Sequence, residues 1–249
     1  MSLNFMIAPD FAPERFAGWH MLNTVLQRRS GLGVHLMTPA NAQEQGLALA
    51  AEKVDMLYAN PFDAADLIRT RGYLPFARPA QRYDEMVIAT SAASGLLCVE
   101  DLKAGCRIAL TENRDVKLIG LRLLEPADLL EPLIEWVPVD SYQAAVRRVL
   151  KGDVDAAFFL AEAYASLNRT TRGQLHVLVE SAISDISHVL LAHPRMATQL
   201  PAIEAALLNL GRAPGDAEVL NALGLPGGFI PMTHEEAEFM IDLMDTLLD

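Results

Sequence analysis

Two stretches whose first residues stand a hundred positions apart decide the fold: VDMLYANPFDAADLI, Val54 to Ile68, and VDAAFFLAEAYASLN, Val154 to Asn168. Each opens on Val-Asp, runs apolar for about four residues and passes into an alanine-bearing stretch that reads as helix. Each also follows a helix-like segment, EQGLALAAEK before the first and YQAAVRRVLKG before the second. The chain therefore writes one helix–strand–helix unit twice. In open α/β sheets, ligands bind beyond the carboxyl ends of the strands. Two such units facing each other would enclose a cleft.

The segments around these copies alternate in the same way. NFMIA is a first strand, followed by Pro9, Asp10 and Phe11, and a helix begins near Pro13 with Phe16, Trp19, Leu22 and Leu26 on one face. SGLG ends that helix, VHLMT is a strand, and NAQEQGLALAAEK is a helix leading into VDMLYA. Pro61 stands at the start of the next helix and Gly72 at its end. YLPFARPA reads as a short extended piece and YDEMVIAT, Tyr83 to Thr90, as a strand leaving the first unit. CRIALT, IEWVPV, VDAAFF, LHVLVE and ISHVLLA are strands. VEDLKAG, RDVKLIGLRLL, SYQAAVRRVLKG with Ser141 as its cap, and AEAYASLNR are helical. Everything after ISHVLLA reads as helix. The class is α/β, with two mixed, mostly parallel sheets flanked by helices.

The 249 residues suffice for one large domain or two lobes of about 120 each. A net charge of −12 excludes a general nucleic-acid binder, because phosphate contacts need a basic footprint. It leaves room for a small anion held by local amides and one or two cations. Half the residues are hydrophobic (51%), yet no window approaches the length needed to span a bilayer, so no membrane insertion is expected. MSLNFMIAPDF carries neither a basic n-region nor an apolar h-region. The expected location is the periplasm if a leader has been removed, and the cytoplasm otherwise. Cys98 and Cys106 are expected to be free thiols.

Chemical motifs are sparse. There is no Gly-x-Ser-x-Gly elbow, no His-Glu-x-x-His, no Walker loop and no dinucleotide fingerprint. Gly31 and Gly33 follow a helix and open a strand, the reverse of the phosphate-cradling order, and read as a helix end. His188 and His193 read as residues of one strand facing opposite sides, a poor metal site, and no cofactor is expected. Glu162 differs from the other carboxylates in following a strand end, where it can hold a ligand donor or cap a helix. TENRDVKLIG opens a helix, whose start offers free N–H groups to an anion. Arg114 and Lys117 add positive charge there, while Asp115, read as the N-cap, competes for the same amides.

In this order the segments resemble the phosphonate-binding (PhnD-like) group of periplasmic substrate-binding proteins of ABC transporters, over nearly the whole chain. The resemblance rests on VDMLYANPFDAADLI, YDEMVIATSAASGLLCVEDLKAGCRIAL, SYQAAVRRVLKGDVDAAFF and GLPGGFIPMTHEEAEFMIDLM. It implies the two-lobed type 2 periplasmic-binding-protein fold with a ligand cleft between the lobes. One lobe would comprise residues 1–88 and 188–249, the other 89–187, with crossing strands near 86–90 and 186–192. It implies a receptor that closes on a small anionic ligand and delivers it to a permease, and not an enzyme. Tyr58 and Asn60 match the family's first-lobe contact, Tyr83 an aromatic before the hinge, and Glu162 an acidic residue that can meet a ligand ammonium. The loop with Asp10 and Phe11 after the first strand, and Arg114, Asp115, Val116 and Lys117, complete the implied ligand set. The last four replace the family's Ser-Thr-Ser-Gly run. Charge-assisted bonds to an anion contribute about 1.5–3 kcal/mol each, so the missing hydroxyls leave open another anion, a zwitterion or a neutral ligand. Two further roles for the same fold also stay open. One is a ligand-sensing module feeding a regulator; the other is a biosynthetic enzyme using Glu162, Asp115 or a histidine.

Overall fold

A computed structural model describes residues 2–9 and 13–248, which form two compact units. The first comprises residues 1–83 and 187–243, the second residues 84–186 and 244–249. In chain order the first unit holds β1 (Ser2–Ile7), α1 (Phe16–Ser30), β2 (Gly33–Met37), α2 (Ala42–Ala50), β3 (Met56–Ala59), α3 (Pro61–Arg71) and β4 (Leu74–Pro79). The second holds β5 (Met86–Ser91), β6 (Arg107–Leu110), α4 (Arg114–Leu123), β7 (Glu135–Pro138), α5 (Tyr142–Lys151), β8 (Ala156–Leu160), α6 (Ala161–Ser166), α7 (Arg169–Arg172) and β9 (Leu175–Glu180). The chain then returns to the first unit with β10 (Val189–Ala192), α8 (Leu200–Leu208), α9 (Asp216–Leu223), β11 (Phe229–Pro231) and α10 (His234–Leu248), whose end from Met244 onward belongs to the second unit.

The duplication seen in the sequence is a duplication of topology. The first sheet runs β11-β4-β10-β3-β1-β2 and the second β9-β5-β8-β6-β7. Without β11, the two orders correspond strand for strand: β1 with β6, β2 with β7, β3 with β8, β4 with β9. In each, the strand next to the third is contributed from across the chain and runs antiparallel, β10 against β3 and β5 against β8. These inserted strands shift the balance away from the mostly parallel sheets expected. Among the described pairings, four are parallel and five antiparallel. The two Val-Asp stretches open the third strand of each sheet.

Alternation of side chains along the strands sets the cores. Phe5, Ile7, Met56, Tyr58 and Leu190 share a cluster with Trp19, Leu22 and Leu26 of α1, Leu207 of α8, and Leu220 and Leu223 of α9. Gly18 allows α1 to approach α9 closely, since a Cβ there would lie 2.5 Å from the Ala222 carbonyl carbon. In the second unit Val87, Ala109, Ala157 and Phe159 pack with Val146 and Val149 of α5. Phe158 faces the other way, and Gly120 of α4 sits so near that a Cβ would lie 2.2 Å from its ring.

Helix ends follow the expected chemistry with a few departures. Gly31 and Gly72 terminate α1 and α3 at φ 73° and 65°, the left-handed region glycine takes without steric cost. Ser141 caps α5 through the Ala144 N–H. The start expected near Pro13 is a 3-10 turn, Pro13–Arg15, ahead of α1. VEDLKAG contributes only a 3-10 turn, Val99–Asp101, and the segment read as the helix AEAYASLNR is two short helices, α6 and α7. β11 lies in a region read as wholly helical; its three residues pair with β4 and are too short to show a period. Cys98 and Cys106 are free. No helix among the described residues is long and apolar enough to cross a membrane.

Candidate functional site

In each unit, parallel neighbours bring strand ends side by side. In the first, β1 and β3 are paired as far as Ile7 and Tyr58, and the Ala8 N–H then donates to the Tyr58 carbonyl at 2.9 Å. Ala8 and Pro9 therefore emerge on the Asn60 side of β3. Asp10 and Phe11 lie outside the described residues. Tyr58 is buried, 7% exposed, with its ring 4.7 Å from Trp19 and stacked on His188 at 4.9 Å. The register pairs Leu190 with Tyr58, so His188, two residues away, shares the face of Tyr58. Sequence reasoning missed His188 as a companion of Tyr58, because the pairing joins residues 130 positions apart. His188 and His193 flank β10 instead of lying within it, and His193 meets Tyr73 edge-on.

Asn60 is the N-cap of α3. Its side-chain oxygen accepts the Asp63 N–H at 2.9 Å, and its Nδ2 donates to the Asp63 carboxylate at 3.0 Å. The buried Gln45 of α2 donates to the same carboxylate. The cap satisfies the Asp63 N–H, and the side-chain bonds from Asn60 and Gln45 to the Asp63 carboxylate hold it in place at the start of α3. Tyr83, half-buried, is the last residue of the first unit before the chain crosses.

In the second unit the paired strands are β6 and β8, with Ala109 opposite Ala157. The helices that follow them, α4 and α6, therefore start along the same sheet edge. The cap of α4 corrects the sequence reading. Asn113, not Asp115, is the N-cap, accepting the Val116 N–H at 3.0 Å, while the Lys117 N–H donates to the Asn113 carbonyl at 3.1 Å. Asp115 sits one position into the helix and is buried, 6% exposed, as is Val116 at 1%. The apolar spacing that buries Val116 and Ile119 carries the neighbouring Asp115 inward with them.

The two cations of this turn diverge. Arg114, the first helical residue, is exposed. Lys117 turns along the flank, where its ammonium pairs with Glu131 and lies 5.2 Å above the Trp136 ring. The helix start thus carries the exposed guanidinium of Arg114, while the Lys117 ammonium lies on the flank beside Glu131. Glu162 is the second residue of α6, half-buried, in the first turn past β8. Of the residues singled out in the sequence, the structure brings Tyr58 and Asn60 to one strand end of the first unit. Arg114, Asp115, Val116 and Glu162 share one sheet edge of the second, and Lys117 turns away from it.

Comparison with known proteins places this arrangement. The profile of the ABC transporter phosphonate periplasmic substrate-binding protein family matches residues 5–237. No curated protein matches the chain by sequence. Among solved structures, PhnD1 from Prochlorococcus marinus, in complex with methylphosphonate, superposes with a TM-score of 0.82 at 13% identity, covering 99% of this chain and 98% of that one. A binding protein component of an ABC phosphonate transporter from Pseudomonas aeruginosa gives 0.75 at 14%, covering 100% and 89%. The periplasmic aliphatic sulphonate binding protein SsuA from Escherichia coli gives 0.68 at 17%, covering 99% and 86%. With the family profile spanning residues 5–237, this protein belongs to the phosphonate substrate-binding-protein family of ABC transporters.

Proposed function

We propose that the chain is a solute receptor for a small organic oxyanion, without catalytic activity of its own. The observation that carries the reading is the second unit's sheet edge, where the start of α4 follows β6 and carries the exposed Arg114 guanidinium. A helix start supplies N–H donors and the positive end of a dipole, and an arginine adds a planar fork that fits an oxyanion. Tyr58 and Asn60 of the first unit, together with Asp10 and Phe11, belong to the proposed ligand set. Tyr83 and Glu162 complete it. The related structures bind methylphosphonate in one case and are named for aliphatic sulphonates in another. Both ligands are a tetrahedral oxyanion on an organic tail. The reading places the protein in the periplasm, with an ABC permease as its partner, and the native gene start tests that location by the presence of a leader.

The test of the ligand is a thermal-shift screen against methylphosphonate, aminoethylphosphonate, phosphate, phosphite, methanesulfonate, sulfate, carboxylates and amino acids. A ligand at about 100 times its Kd adds roughly 2.7 kcal/mol, a rise of roughly 5–11 °C at this size. A shift with a phosphonate or a sulfonate supports the reading and chooses between them. Shifts confined to amino acids or neutral solutes would discard the oxyanion. If any turnover of a bound ligand is detected, its collapse in Glu162→Gln would make the protein an enzyme.

A further inference from the structure

The chain leaves the first unit through Tyr83–Met86 and returns through Ser181–Ser187. One carboxylate organises the contacts of these two segments. Glu85 Oε1 accepts the Ser184 N–H at 2.7 Å, and its Oε2 accepts the Ser181 hydroxyl. The Ser181 hydroxyl oxygen in turn accepts the Met86 N–H at 2.9 Å, and the Ser181 N–H donates to the Met86 carbonyl at 2.9 Å. One rung further, the Asp84 N–H donates to the Ile186 carbonyl at 2.8 Å. Between these rungs Ser184 is exposed and holds φ at 63°, a left-handed backbone that a residue with a Cβ seldom adopts. Nothing about serine favours that conformation; the bond from its N–H to Glu85 does.

We infer that Glu85 is a clamp on the returning segment, holding Ser184 left-handed and fastening residues 181–186 to 84–86. An ionised carboxylate suits the task because it accepts two donors from different turns at once. Its backbone is fixed as well, since the Glu85 carbonyl accepts the Ala161 N–H at the start of α6 at 2.8 Å. With both segments fastened, bending in these two crossings is confined to the peptides on either side of the clamp, 83–84 and 186–187; the chain crosses once more within α10, between Leu243 and Met244. Among the described residues, the hydrogen bonds of the Glu85 side chain go to Ser181 and Ser184. Glu85 sets the freedom of the crossing, and so the ease with which the receptor opens and closes. That consequence rests on the receptor reading, but the test uses the ligand-free chain, so the two can fail separately.

The test is hydrogen exchange on the full-length protein, comparing wild type, Glu85→Ala and the double variant Glu85→Ala/Ser184→Gly. In Glu85→Ala the amides from Ser181 to Ser184 should exchange about tenfold faster or more, as expected for losing bonds to a charged acceptor. The amides of β6 and β8 should keep their protection. The double variant should recover part of the loss, because glycine takes the left-handed backbone without steric cost. A second readout is the distance distribution between spin labels on Leu47→Cys and Leu130→Cys, exposed sites one in each unit, with Cys98 and Cys106 replaced by serine. It should broaden in Glu85→Ala and narrow again in the double variant. Unchanged exchange across 181–186, an even loss of protection throughout the second unit, or an unaltered label distribution would each overturn the clamp.

Discussion

The carboxylate of Asp55 accepts the backbone N–H of Asn4 at 2.7 Å, while the Asp55 N–H donates to the Asn4 carbonyl at 3.0 Å. The second unit repeats this pair. Asp155 accepts the Arg107 N–H at 2.7 Å and donates its own N–H to the Arg107 carbonyl at 2.8 Å. In both sheets the aspartate before the third strand is bonded in both directions to the neighbouring strand, through Asn4 of β1 and Arg107 of β6. This is the physical content of the repeated Val-Asp. The copies differ in surroundings. Asp55 also pairs with Arg195 at 2.7 Å and its side chain is 13% exposed, whereas Asp155 is 40% exposed with Arg107 Nε at 3.7 Å. Asp55→Ala should therefore cost about 1.5–3 kcal/mol and Asp155→Ala about 1 kcal/mol or less. Chemical denaturation of the two variants checks the order, and equal losses would contradict it.

Gly18→Ala and Gly120→Ala test the close approaches. At position 18 the new methyl meets the backbone of Ala222 and Leu223 at 2.5–2.6 Å, and at 120 it meets the buried Phe158 ring at 2.2 Å. Overpacking of this kind costs typically about 1–3 kcal/mol. Position 18 should stand at the upper end, because backbone yields less readily than a ring. Melting temperatures should fall by about 2–4 °C per kcal/mol. A gain in stability at either site, as helix propensity alone would give, would rule out the close contact.

Asp216 links α1 to the start of α9. Burial pushes its carboxyl up, but the Ala213 N–H, the Arg29 side chain, the Gly211 N–H and the Arg29 charge together outweigh that and hold it below the usual carboxylate range. A carboxyl depressed in the folded state stabilises fully above its unfolded value of about 3.9, and the contribution is lost as pH falls through the folded value. Asp216→Asn should thus lower the melting temperature most at pH 7, and the gap to wild type should close on acidification below about pH 4. A gap that stays constant down to pH 3 would show that the charge is not what matters.

Arg114 and Lys117 separate the site from its flank. If the helix start of α4 binds the ligand, Arg114→Ala should weaken binding of the best oxyanion by about tenfold or more, from loss of a charge-assisted bond. Lys117→Ala should change it less than about threefold, being held by Glu131 and Trp136. Calorimetric titration with that oxyanion reads both. The reverse order would mean that Lys117 leaves its partners to meet the ligand.

Loss of the α4 cap offers a local check on the corrected N-terminus. Asn113→Ala should destabilise by about 0.5–2 kcal/mol, by removing the acceptor of the Val116 N–H. Asp115 at the position after Arg114 cannot replace it, and a neutral Asn113→Ala result would return the cap to Asp115.

Much was determined by the sequence alone. The period of apolar residues and the Gly, Pro, Ser and Asn punctuation are local, so they placed α1, α3, α5 and the third strand of each sheet. The doubled Val-Asp unit announced two sheets of one design, and the ordered segments identified the family. What the tertiary structure decided depends on pairings between distant residues. The insertion of β10 and β5 into the middle of their sheets made the pairing mixed, and no local period encodes a neighbour 130 residues away. The same insertion brought His188 onto Tyr58. Asp115 and Asn113 both suit a cap by composition; the burial of Val116 and Ile119 against the sheet fixed the helix phase and gave the cap to Asn113. The pairing of Lys117 with Glu131 and Trp136 was not legible either, because both partners come from later segments. Glu85 carried no motif at all, because its role lies in reaching Ser181 and Ser184 across a hundred residues of intervening chain.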